Sequence, residues 1–122
     1  MSKRVSRGDK NMSYRYVTII IPVHNSEKTL PYVLNSIKLL NYLHKYTKIV
    51  IVDDCSEDRT LQIAIDFSTK NEAEFHSIEV VRLKKKATAS EARDEGIKRA
   101  IPGSYLLFLD DDAILKPELS ID

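Results

Sequence analysis

Three short polar clusters carry the residues of this chain best suited to chemistry, and each follows an apolar run. They are Pro22-Val23-His24-Asn25 after 17–21, Asp53-Asp54-Cys55-Ser56 after 48–52, and Asp110-Asp111-Asp112 after 105–109. The aspartate triplet is the sharpest. Three consecutive carboxylates repel one another, so a fold that holds them must recover the cost elsewhere. A hard divalent cation does this, because Mg²⁺ or Mn²⁺ takes oxygen ligands and is often shared between carboxylates and substrate phosphates. If strand alternation continues through the triplet, Asp110 and Asp112 point one way and Asp111 the other, which makes an Asp-x-Asp clamp. The competing reading is a solvated acidic turn, and the buried strand expected from LLFL favours the clamp.

The other clusters leave alternatives open. Asp53 and Asp54 either cap the helix that follows or accept from a base N–H or ribose hydroxyls. Ser56 and Asp58 are already placed for the capping task. His24 is a loop residue or an aromatic face for a base, and with no second histidine or cysteine nearby it is not a zinc ligand. Arg93 has no acidic residue three or four positions away. It is either solvated or directed at a diphosphate, whose oxygens suit a guanidinium fork. The run Lys84-Lys85-Lys86 reads as a solvated loop or as a source of one phosphate contact.

The elements that must position these residues follow from periodicity. Residues 16–21 form a β-branched strand that Pro22 ends. Leu30, Val33, Leu34, Ile37 and Leu40 fall at helical spacing within 26–43, with Asn25 or Ser26 as cap and Pro31 in the first turn. A second strand covers 48–52. A second helix, capped by Ser56, buries Leu61, Ala64, Ile65 and Phe67. A third strand covers 78–83, and a third helix, 88–100, turns the small face Ala89, Ala92, Gly96 and Ile97 to the sheet. Pro102-Gly103 precedes a fourth strand, 105–109. The order β-α-β-α-β-α-β predicts a doubly wound, mainly parallel α/β sheet. Ligands bind such sheets at the carboxyl ends of the strands, where all three clusters converge.

Composition narrows the function classes. With 19 basic and 18 acidic residues the chain lacks the basic excess of a nucleic-acid binder. The lone Cys55 excludes an internal disulfide and fits a reducing cytoplasmic compartment. The apolar runs fall far short of the ~20 residues that span a bilayer. Residues 1–15 read as a flexible polar leader and 16–122 as one α/β domain. Lys3, Arg4, Arg7 and Lys10 leave the leader either solvated or in weak contact with anionic headgroups at a membrane surface. No Gly-x-x-x-x-Gly-Lys loop exists for a P-loop NTPase, and no glycine-rich turn follows the first strand as in a dinucleotide-binding domain. A haloacid-dehalogenase-like phosphotransferase would need a nucleophilic aspartate after the first strand, where Pro22 stands.

Taken in order, TIIIPVHN, IVIVDDCSEDRT, ASEARDEGI and LLFLDDDA resemble the amino-terminal half of the inverting family-two glycosyltransferases, which have the GT-A fold. The resemblance runs from about residue 17 to 115. It implies a nucleotide pocket lined by Pro22, His24 and Glu27, with Asp53 or Asp54 on the base or ribose of a UDP- or GDP-linked sugar. It also implies Arg93 near the diphosphate, and Asp110 and Asp112 as ligands of Mn²⁺ or Mg²⁺. Ser26, Asp94 and Ala113 depart from the family's usual residues. In the family a general base for the acceptor hydroxyl lies in a later segment. Here only Glu118 and Asp122 follow the triplet, so the sequence reads as a truncated, donor-binding half, completed or not by a partner chain. The alternative is a nucleotide-sugar-binding or regulatory module without turnover.

Overall fold

In a computed structural model, residues 15–115 are described. The strands are β1 (Val17–Val23), β2 (Thr47–Asp53), β3 (Ser77–Arg82) and β4 (Tyr105–Phe108). Between them run α1 (Leu30–Lys38), α2 (Thr60–Asn71) and α3 (Ala89–Lys98), with a 3-10 turn at His44–Tyr46 before β2. The four strands form one parallel sheet in the order β3-β2-β1-β4. The order reverses between β1 and β4, and that is where a crevice opens in such sheets.

Both faces of β1 and β2 are covered, which explains their nearly continuous apolar sequences. Val17, Ile19, Ile21 and Val23 of β1 join Ile49 and Ile51 of β2 in a core with Leu30, Val33, Leu34 and Ile37 of α1 and Ala64 of α2. On the opposite face Ile20, Val50 and Val52 meet Ala92 of α3. The small face expected on this helix reduces to Ala92 and Gly96, since Ala89 and Ile97 are exposed. A Cβ at Gly96 would collide with Ile20 Cγ2, so the glycine sets how closely α3 approaches β1. Thr88 caps α3: its Oγ1 accepts from Glu91 N–H while Glu91 accepts from Thr88 N–H, a reciprocal capping box.

Three expectations are corrected. Pro22 does not end β1, which continues to Val23 opposite Asp53. Along β1 the carbonyls of Tyr16 and Ile20 accept from β4, whereas Val23 accepts from Asp54. Pro22 therefore faces the β4 side, where pairing has stopped at Phe108, and its missing N–H costs no ladder bond. The first helix begins at Leu30, four residues after Ser26: 26–29 form a turn, Ser26 N–H is held by Thr60 Oγ1 at 2.6 Å, and the Ser26 hydroxyl is turned to Asp111 instead of capping the helix. The fourth strand is not buried. Tyr105, Leu106 and Phe108 are 39%, 41% and 41% exposed, because α3 lies across β1 and β2 and β4 is an edge strand among the described residues. Only Leu107 and Leu109 reach the α1–α2 core.

The leader lies outside the described residues, apart from Arg15. So do Glu118 and Asp122. Among the described residues no helix is long and apolar enough to cross a membrane.

Candidate functional site

The loops after β1 and β2 are joined residue by residue. Each turns through a left-handed position, Asn25 at φ 47° and Cys55 at φ 56°. Asparagine enters this region readily and cysteine does so at a cost. Asn25 N–H donates to Ser56 Oγ at 2.9 Å, and Glu57 N–H donates to Asn25 Oδ1 at 2.8 Å. Ser56 is thus used between loops and does not cap α2. Just ahead of the helix, Asp58 Oδ1 accepts from Thr60 N–H at 2.8 Å and also from the Thr60 hydroxyl. Burial pushes the Asp58 carboxyl up, but these Thr60 bonds outweigh it and hold it below its ordinary value.

His24 stands at the lip of this assembly. Its Nδ1–H donates to the Asp54 carbonyl at 2.6 Å, and its Nε2 accepts from the Asn25 amide at 3.3 Å. The two contacts together fix the plane of the ring.

Asp53 and Asp54 part company, as neighbours leaving a strand must. Asp53 is wholly buried and turns to β3, where Arg82 Nη1 donates to its Oδ2 at 3.0 Å. Its Oδ1 has no partner among the described residues. Asp54 turns to the rim, where Lys86 Nζ lies 2.8 Å from Oδ2 and Ala87 N–H donates to Oδ1 at 2.9 Å. Burial alone would raise the Asp54 carboxyl; the Lys86 hydrogen bond and charge, with the Ala87 N–H, hold it below the ordinary carboxylate range.

Strand pairing stops at Phe108 and 110–113 form a turn, so the three aspartates part through the turn and not through strand alternation. Asp111 is fastened to the first loop, its carboxylate accepting from Ser26 Oγ and its carbonyl from Thr29 Oγ1 at 2.7 Å. Asp110 and Asp112 are exposed, with no ion pair among the described residues. Arg93, on the exposed side of α3, likewise has no acidic partner there.

A cavity of about 320 Å³ opens between these groups at the carboxyl ends of β1, β2 and β4. It gathers Pro22, His24, Asp54 and Arg93 with Asp110, Asp111 and Asp112, and adds Lys86. Two residues expected at the site are not brought to it. Asp53 faces Arg82, and the Glu27 carboxylate accepts from Arg59 N–H at 3.0 Å at the start of α2. A wider, shallower hollow of about 760 Å³ lies around 40–46 and Glu74, at the other end of the sheet. It lacks the convergent charged groups of the rim, so the rim is the stronger candidate.

Among the described residues no three of His, Cys, Asp and Glu gather closely enough to hold a metal unaided. The donor set still fits a hard cation. Mg²⁺ and related ions are commonly held by one or two carboxylates, with substrate phosphates and water completing the shell. Asp110 and Asp112 offer those two carboxylates, unengaged by other side chains.

The sequence reading missed three contributors: Ser26 and Thr60, which lock the loops, and the anchoring of Asp111. Their partners lie 34 to 85 residues away in sequence, and no local pattern marks them. Lys86 was visible only as one of three adjacent lysines.

Comparison with known proteins agrees with this geometry. The profile of the family described as Glycosyl transferase family 2 matches residues 18–121. The chain is 31% identical over 101 residues to the poly(ribitol-phosphate) beta-N-acetylglucosaminyltransferase TarS of Staphylococcus aureus, covering 83% of this chain and 17% of that protein. Among solved structures, a fragment of S. aureus TarS in complex with UDP-GlcNAc superposes with a TM-score of 0.69 at 32% identity, over 80% of this chain and 26% of that one. The mannosyltransferase PcManGT of Pyrobaculum calidifontis, in complex with GDP-Man and Mn²⁺, shares the fold with a TM-score of 0.76 at 22% identity, over 84% of this chain and 29% of that one. The chain thus spans less than a third of the length of these proteins.

Proposed function

This chain belongs to glycosyl transferase family 2 and has its GT-A architecture, and from that premise we propose that the rim cavity binds the nucleoside diphosphate of a UDP- or GDP-linked sugar together with Mn²⁺ or Mg²⁺. The observation that carries the reading is the convergence, around one cavity, of a fixed aromatic ring, a buried acceptor carboxylate, and a guanidinium and two carboxylates that have no ion-pair partner among the described residues. The complex of TarS with UDP-GlcNAc supports the ligand class.

Each group has a distinct task. His24 presents an oriented face for the base, and Asp54 accepts from a base N–H or a ribose hydroxyl. Pro22 forms part of the wall beside them. Arg93 meets diphosphate oxygens with paired donors. Asp110 and Asp112 hold the cation, which when bound neutralises charge on the diphosphate as it becomes the leaving group. The reaction class that follows is transfer of a glycosyl group to an acceptor hydroxyl. The absence of a disulfide-forming pair suits a reducing cytoplasmic setting, and the basic residues at 3–10 offer a contact to an anionic membrane surface.

Thermal unfolding with UDP, GDP and their sugars, each with and without Mn²⁺, tests the reading. A ligand at ~100 times its Kd stabilises the fold by about 2.7 kcal/mol. The expected result is a shift for one nucleotide class that Mn²⁺ enlarges. No shift with any of them overturns it.

A further inference from the structure

Of the lysine run after β3, only Lys86 reaches the rim cavity. Its ammonium sits 2.8 Å from Asp54 Oδ2, and it also donates to the Ala87 carbonyl at 3.2 Å. The next backbone N–H, that of Ala87, takes the other carboxylate oxygen at 2.9 Å. Two consecutive residues of one loop thus clamp both oxygens of a carboxylate that is almost entirely buried. We propose that Lys86 is a positioning residue for nucleobase recognition, fixing the orientation and charge of the Asp54 carboxylate so that its remaining lone pairs meet a base N–H. The inference rests on the nucleotide-site reading above and assigns to Lys86 a task distinct from phosphate contact.

The chemistry requires such a partner. An ionised carboxylate only accepts hydrogen bonds and has about four lone-pair sites, of which two are used here. A protonated carboxyl gives up one acceptor oxygen to an O–H and keeps only neutral, weaker acceptor sites, so it meets the N–H of uracil or guanine less well. Burial favours the protonated form, so something must oppose burial. The charged and titratable groups that face Asp54 are few. Lys86 and Ala87 N–H come from the loop after β3, His24 from the loop after β1, and Glu91 from the first turn of α3. Arg93, Asp110 and Asp112 line the same cavity, while the neighbouring Asp53 turns away to Arg82. Among these Lys86 alone pairs with the carboxylate. Its side chain is 59% exposed, so solvent screens the pair and the effect is moderate.

The direction with pH follows. Base binding needs ionised Asp54, so affinity is present above the pKa of this carboxyl and is lost as pH falls through it. With Lys86 in place that loss falls below the ordinary carboxylate range. Without it, burial is opposed by less, and the loss moves to higher pH.

The test is calorimetric titration of the chain, of Lys86→Met and of Lys86→Arg with uridine and with UDP plus Mn²⁺, and in parallel with guanosine and GDP, from about pH 4 to about pH 8. The expected result is that Lys86→Met weakens nucleoside and nucleotide by a similar factor, on the order of 10-fold near neutrality. The fall-off on the acid side then moves to higher pH, and Lys86→Arg recovers most of both. A loss confined to the diphosphates would overturn the inference and make Lys86 a phosphate ligand. Tighter nucleoside binding by Lys86→Met would overturn it too, as the sign of a lysine that blocks the base. Unchanged affinity and pH profile would leave the nucleotide site standing without this role for Lys86. No binding of any ligand by the unsubstituted chain would remove the site and the inference together.

Discussion

At the β1–β2 half of the rim, the backbone N–H groups of Asn25, Ser26, Glu57 and Arg59 each end on a side chain from the facing loop. At the β4 half, a four-residue strand is the edge of the sheet among the described residues, and the carboxylates beyond it, Asp110 and Asp112, stand in solvent. Beyond the strand ladder, Asp111 pins the turn after β4 to the loop after β1. The contrast suggests a division of labour. Groups that must recognise a flat base gain from being fixed before it arrives. Carboxylates meant for a cation and a diphosphate gain from being unengaged until both are present.

The largest effect that could break this comparison is expected within the triplet. Asp112→Ala should lower Mn²⁺-dependent UDP or GDP binding by roughly 100-fold, at the upper end of what removing even an outer partner of a metal ligand costs. Asp111→Ala should leave most of that affinity and lower stability instead, by about 1–2 kcal/mol, through loss of the carboxylate's bond to Ser26. Calorimetry and urea unfolding on both variants separate the two roles. A larger affinity loss in Asp111→Ala would mean that the triplet has been read the wrong way round.

A second substitution probes the fixed half. Thr60 is wholly buried, and its hydroxyl joins Ser26 N–H to Asp58. Thr60→Val keeps the shape, strands the Ser26 N–H and removes one of the bonds to Asp58, which should cost about 1–3 kcal/mol in urea unfolding. A neutral result would mean that the two loops are not held as tightly as their hydrogen bonds imply.

The smallest expected effect is at Cys55. Its left-handed backbone costs an L-residue roughly 1–2 kcal/mol, and glycine avoids that cost while losing about 0.5–1 kcal/mol in chain entropy. Cys55→Gly should therefore raise stability by about 0.5–1 kcal/mol without altering nucleotide affinity. A loss of stability would show that the Cys55 thiol, 3.4 Å from the Leu83 carbonyl, contributes more than its backbone costs.

These two halves were unequally legible in the sequence. The order of elements, the doubly wound sheet and the Ala92–Gly96 face of α3 follow from periodicity and residue size, both local properties. The Thr88–Glu91 capping box was equally local and went unread beyond placing the helix start near Thr88. What failed locally was set by distant partners. Whether Pro22 ends β1 depends on where β4 stops. Whether Ser26 starts a helix depends on Thr60 and Asp111. Whether LLFL is buried depends on how far α3 reaches across the sheet. The convergence of three strand ends on one rim could be foreseen from topology alone. The turn of Asp54 to the rim, the turn of Asp53 toward Arg82, and the selection of Lys86 from three lysines needed the loops in place.

The central claim is that the rim cavity takes its nucleotide together with a divalent cation. Its most direct test is calorimetric titration of the chain with UDP and with GDP, once in Mn²⁺ and once in EDTA. Binding of one nucleotide in Mn²⁺ that weakens in EDTA by about 10-fold or more, about 1.4 kcal/mol, is the predicted result. Equal affinity under both conditions would contradict it, leaving Asp110 and Asp112 as a solvated acidic turn beside a metal-independent site.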